Sequence, residues 1–170
     1  MNLDDLKMGY FAVYLIDNSI FAKLIMEEQL RRGFSLMDAG YTHVDVLGGG
    51  PYAVRVSPPF TKVVDIRKVY PNRYVKIMRY KNEEYELKKR YKVAFWAASH
   101  SNLKYDWLGV IRFRLKFLWH GQGSWFCSEN AAWALQKEYA QALGALYPEK
   151  AMPAHFLGKE FECVWEGEIK

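Results

Sequence analysis

The spacing of apolar and polar residues changes several times along the chain. Gly9 to Ile16 (Gly-Tyr-Phe-Ala-Val-Tyr-Leu-Ile) is a short apolar run that reads as a strand. Ser19 stands where a helix N-cap belongs. Ile20, Leu24, Met26 and Leu30 then recur at helical spacing to about Arg32, where Gly33 is a stop. Thr42 to Leu47 and Tyr52 to Ser57 alternate, with Gly48-Gly49-Gly50-Pro51 between them and Pro58-Pro59 after them. That pattern predicts a hairpin. Val63 to Val69 and Tyr74 to Tyr80 predict two more strands. Glu83 to about Ala98 predicts a charged helix. Tyr105 to Leu118 satisfies both periods: Ile111, Phe113, Leu115 and Phe117 alternate, while Trp107, Leu108, Ile111, Leu115 and Leu118 fit a helix. A helix from Ser128 to about Leu146 and a strand from Glu160 to Trp165 close the pattern. This order predicts an α+β fold with a mainly antiparallel sheet packed against helices. No repeat, linker or low-complexity tract interrupts it, so residues 1–170 read as a single domain.

The hairpin register follows from the face each valine must share. Val44, Val46, Val54 and Val56 belong on one buried face, which sets Val46 opposite Val54 and Val44 opposite Val56. His43 and Asp45 then share the other face. Asp45 falls opposite Arg55 and His43 opposite Ser57. The expected consequences are a cross-strand Asp45–Arg55 ion pair and a Ser57 hydroxyl placed to orient the His43 ring.

Composition adds limits. Hydrophobic content of 51%, with twelve Tyr, ten Phe and six Trp, excludes a disordered chain and supplies a core. The net charge is +5, with Lys and Arg crowded between Arg67 and Lys92 and again at Arg112, Arg114 and Lys116. Such a face is ordinarily solvated. It suits weak contact with an anionic surface, and no nucleic-acid-binding motif accompanies it. Only two cysteines occur, Cys127 and Cys163, without a CxxC pair, and His100, His120 and His155 lack ligand spacing with them. Neither a metal centre nor another cofactor is expected. The acidic start and the lack of a long apolar run predict a cytoplasmic protein with neither secretory signal nor membrane span, export by another route staying open. Oligomeric state is not legible.

Cys127 carries the sharpest chemical signal. It lies in Ser124-Trp125-Phe126-Cys127-Ser128-Glu129-Asn130, just before a helical pattern. The positive end of a helix dipole favours thiolate over thiol, which is the nucleophilic form. Cys163 sits in an apolar strand pattern and reads as core, and Glu129 reads as a first-turn acid that complements the dipole. A single well-placed cysteine with a strand histidine far upstream suggests a Cys–His nucleophile pair.

Three segments together resemble the permuted papain-like branch of the NlpC superfamily, the YiiX-like cysteine peptidases and amidases. They are Gly9-Tyr10-Phe11-Ala12-Val13 with the Ser19 helix, Thr42-His43-Val44-Asp45-Val46, and Tyr105-Asp106 followed by Phe126-Cys127-Ser128-Glu129. Pro153 to Trp165 also suits the family's last loop and strand. The resemblance implies a circularly permuted papain-like (NlpC-type) fold, in which histidine precedes cysteine. It also implies that Cys127 attacks an acyl carbon while His43 serves as base and then acid. Two positions depart from the family: Tyr10 replaces its opening aspartate, and Ser57 stands near the place of its third polar residue. The implied catalytic set is Cys127, His43 and Ser57.

The resulting expectation is a cysteine hydrolase that cleaves an amide bond through a thioester, with a peptide or peptidoglycan stem peptide as substrate. Two alternatives remain at the sequence level. One is an acyltransferase or lipid thioesterase acting on an acyl lipid with the same pair. The other is a catalytically inactive binding module.

Overall fold

A computed structural model describes residues 3–82, 87–105 and 124–170. Its centre is a six-stranded antiparallel sheet in the order β4-β3-β2-β1-β5-β8. The strands are β1 (Phe11–Leu15), β2 (Tyr41–Gly49), β3 (Tyr52–Val56), β4 (Thr61–Asp65), β5 (Tyr74–Tyr80) and β8 (Phe161–Glu168). β6 (Lys104–Tyr105) and β7 (Ser124–Trp125) form a separate parallel pair. The helices are α1 (Ile20–Arg31), α2 (Leu36–Ala39), α3 (Ile66–Val69), α4 (Leu87–Ser99) and α5 (Cys127–Glu138). The molecule is thus mixed α+β, with α4 and α5 packed together and against β2 and β3. Among the described residues no helix is long and apolar enough to cross a membrane.

β1 lies between β2 and β5 and is the most enclosed strand. Phe11, Ala12, Val13 and Tyr14 are completely buried, which explains why this run is apolar at consecutive positions instead of alternating. The chain enters β1 through Gly9 at φ +77°, where a β-carbon would meet the Arg90 carbonyl oxygen at 2.5 Å. Both the conformation and the close approach demand glycine there.

The β2–β3 ladder pairs Val46 with Val54 and Leu47 with Ala53, as the valine pattern predicts. Ser19 caps α1 by accepting from the Ala22 N–H at 3.1 Å, and Gly33 follows at φ +88°. The inward face of α1 differs from the expected stripe. Ala22, Ile25, Glu28 and Gln29 are buried, whereas Ile20 is 74% exposed and Leu30 is also exposed. Gln29 accounts for the rotation. Its Nε2 donates to the carbonyls of Ala39 (2.8 Å) and Tyr41 (3.0 Å), and its Oε1 accepts from the Ala154 N–H (2.8 Å). One buried amide thereby ties α1 to the start of β2 and to the 3-10 turn Pro153–Leu157.

Three other elements depart from expectation. The strand expected over Val63–Val69 stops at Asp65, whose Oδ1 accepts from the Arg67 N–H at 3.0 Å and starts α3. The expected long final helix ends at Glu138. Tyr139 leaves helical geometry at φ −140°, and Gln136 Nε2 donates to the carbonyls of Ala142 (3.0 Å) and Leu146 (2.6 Å), folding the chain back on α5. Cys163 is exposed rather than core, its Sγ donating to the Trp165 carbonyl at 3.3 Å. β8 is an edge strand, and its register with β5 shifts beside Cys163, which breaks the alternation that the apolar run suggested. The start of the expected Glu83 helix lies outside the described residues, as does the ambiguous segment beyond Tyr105 together with His120.

Candidate active site

Cys127 is the first residue of α5 and is 4% exposed. Phe126 is its N-cap and makes no side-chain cap bond. The Cys127 N–H belongs to the first-turn donors that have no acceptor within the helix. Ser128, next in the chain, is buried and its Oγ donates to the Ala151 carbonyl at 2.7 Å. That bond fixes the start of α5 against the segment leading to Met152.

His43 projects from β2. Its Nε2 lies 2.7 Å from Asp45 Oδ1. The ring is also hydrogen-bonded to the Cys127 side chain. Since Nε2 is committed to Asp45, Nδ1 is the nitrogen left for the sulfur. The sequence-predicted pair therefore meets: α5 packs on β2 and β3, and this packing brings the helix start to the histidine strand.

The third residue is a correction. Ser57 Oγ is buried and has no hydrogen-bond partner among the described residues, His43 included, so it does not orient the ring. Asp45 does. Residues two apart on a strand project to the same face, and Asp45, 1% exposed, turns along its own strand toward His43. The expected Asp45–Arg55 ion pair is absent. The Arg55 guanidinium instead lies over the Tyr70 ring, 4.9 Å from its centroid. The sequence carried the signal for Asp45 in the shared face. What it lacked was Tyr70, which draws the competing cation away.

The electrostatics follow from this geometry. Burial alone lowers the His43 pKa, but the Asp45 carboxylate and then the Cys127 sulfur outweigh it and raise it from 6.5 to about 10. The ring is thus an imidazolium at neutral pH. Tyr14 and Tyr70 enclose the pair, their ring centroids 5.7 and 5.9 Å from that of His43. Both phenols stay protonated well beyond the ordinary range, first because they are buried and next because Asp45 is near.

Two adjoining depressions open on the pair. A cavity of about 150 Å³ is lined by His43, Ser57, Arg55, Tyr70, Arg73 and Tyr105, among others. A smaller one lies over Cys127 between Ile25, Tyr105, Phe126 and Met152. Tyr105 and Ile25 border both. Among the described residues no group of three or more His, Cys, Asp or Glu side chains is placed to hold a metal ion. The chain matches no protein-family model and no curated protein.

Proposed function

We propose that the protein is a cysteine hydrolase that cleaves an amide bond, with Cys127 as nucleophile, His43 as acid and base, and Asp45 as the residue that positions the histidine. The observation that carries this reading is the single line of contacts from Asp45 through His43 to a cysteine at the first turn of α5. The histidine strand precedes the cysteine helix, and that helix packs on an antiparallel sheet. This order and packing support a circularly permuted papain-like arrangement.

The chemistry runs in two halves. The Cys127 sulfur, its proton held by His43, adds to the substrate carbonyl carbon. The oxyanion faces the Cys127 N–H. Collapse breaks the C–N bond, the imidazolium protonates the leaving amine, and a thioester remains. The thioester sulfur carries no charge, so one of the two influences that hold the His43 pKa high is gone. The neutral ring then takes a proton from water, hydroxide attacks the thioester, and the thiolate leaves as the acid forms, with the imidazolium keeping the proton and restoring the starting pair. A peptide, and in particular a stem peptide of peptidoglycan, is the proposed substrate class.

Labelling with a thiol-reactive acyl probe in a Cys163→Ser background tests the pair without interference from the exposed thiol. The expected result is stoichiometric modification of Cys127 near neutral pH, falling by about a hundredfold or more in His43→Ala. Equal labelling of folded wild type and His43→Ala would sink the catalytic reading. Release of new amino groups from purified peptidoglycan tests the substrate class.

A further inference from the structure

Four of the nine buried side-chain atoms that lack a hydrogen-bond partner among the described residues belong to residues lining one cavity: Thr42 Oγ1, Arg55 Nε, Ser57 Oγ and Tyr70 Oη. Buried unpaired polar atoms are rare in folded proteins, and a cluster of them calls for a partner such as water, an ion or a ligand group. The charges in the cavity narrow the ligand class. Arg73 is already engaged, with Nη1 on Asp17 Oδ2 at 2.8 Å and with Nε and Nη2 on the Leu15 carbonyl at 3.0 and 2.7 Å. Arg55 has no carboxylate partner among the described residues, only the face of Tyr70. The residues that line the cavity therefore include one arginine without a carboxylate partner among the described residues and three hydroxyl side chains, of which Tyr70, its phenol kept protonated by burial, is a donor.

We propose that this cavity is a carboxylate-binding subsite, in which Arg55 and the hydroxyls of Ser57, Thr42 and Tyr70 receive an anionic group of the substrate beside the reacting carbonyl. The planar fork of arginine matches a carboxylate through two parallel hydrogen bonds. A volume of about 150 Å³ accepts such a group on a short stem. Because His43 lines the same cavity, a carboxylate bound there lies beside its ring. The substrate class inferred above then narrows to peptides with an acidic side chain or a free terminal carboxylate next to the scissile bond. This narrowing rests on the Cys127–His43 reading, whereas carboxylate binding does not depend on the thiol.

The test is a binding titration on Cys127→Ala protein, which cannot turn over. The Arg55 Nε–H resonance is followed by NMR while N-acetylalanine, its uncharged amide N-acetylalaninamide, or inorganic phosphate is added. Saturable shifts with N-acetylalanine, none with the amide, and at least about tenfold weaker binding in Arg55→Lys would support the subsite. Ser57→Ala, a smaller change that leaves Arg55 in place, should weaken binding severalfold and guards against a folding defect in the arginine variant. Saturation by phosphate alone, equal binding of acid and amide, or no shift with any of the three would overturn it. Failure here with intact probe labelling of Cys127 removes only the subsite. Successful binding with no labelling removes only the hydrolase.

Discussion

Replacing Asp45 by asparagine keeps the shape of a buried side chain and removes the charge that holds His43 protonated. Labelling of Cys127 by a neutral thiol reagent should fall roughly a hundredfold or more, since an amide can orient the ring in the wrong tautomer. Ser57→Ala should change the same rate by less than about threefold, because its hydroxyl does not touch the histidine. The stability of the protein should report the same charge. His43 has a folded-state pKa of about 10 against 6.5 in a free chain. A raised pKa gives stability that is whole below about pH 6.5 and is lost as pH climbs toward 10. Urea denaturation across that window should show stability falling by at most about 1.4 kcal/mol per pH unit, with a flatter slope in Asp45→Asn. An unchanged slope would contradict the placement of Asp45. Cys127 and His43 were legible in the sequence because a helix start and a strand period fix their positions locally. The role of Asp45 was hidden because a buried carboxylate on a strand can turn along the chain or across it. The choice was made by Tyr70, which belongs to neither hairpin strand.

Elements were legible where their boundaries depend on nearby residues, and missed where a distant partner sets them. The Ser19 cap, the Gly33 stop and the valine pairing of β2 with β3 are all local signals. The inward face of α1 is set by Gln29, whose partners lie on β2 and in the Pro153–Leu157 turn, so apolar spacing alone pointed to the wrong side. Gln29→Ala removes three buried hydrogen bonds and strands two carbonyls and an N–H. A loss of about 2–4 kcal/mol is expected in urea denaturation, several times that of an exposed substitution on the same helix. Ser19→Ala should cost only about 1 kcal/mol, because it removes one cap bond at a part-buried site. The end of α5 shows the same contrast. Its residues beyond Glu138 keep helical spacing, but the bonds from Gln136 to the Ala142 and Leu146 carbonyls favour a tight return.

Across the whole molecule, β1 and β2 are enclosed by neighbours on both sides, while β4 and β8 are the outer strands of the sheet. Amide exchange should follow that order, slowest at Phe11 to Tyr14 and Val44 to Leu47, fastest along β8. Faster exchange in β1 than in β8 would contradict the strand order. The proposed site inherits its rigidity from the inner strands through β2 and its nucleophile from α5, which is anchored by the Ser128 bond to Ala151. The amide of Gln29, which joins α1, β2 and the Pro153–Leu157 turn, has a further meaning in time. As the polypeptide leaves a ribosome, His43 and Asp45 emerge long before Cys127, and Gln29 finds its last partner only when Ala154 follows. A nascent or prematurely ended chain thus holds the histidine and its carboxylate without the sulfur, and is chemically silent until the later segments have been synthesised and docked.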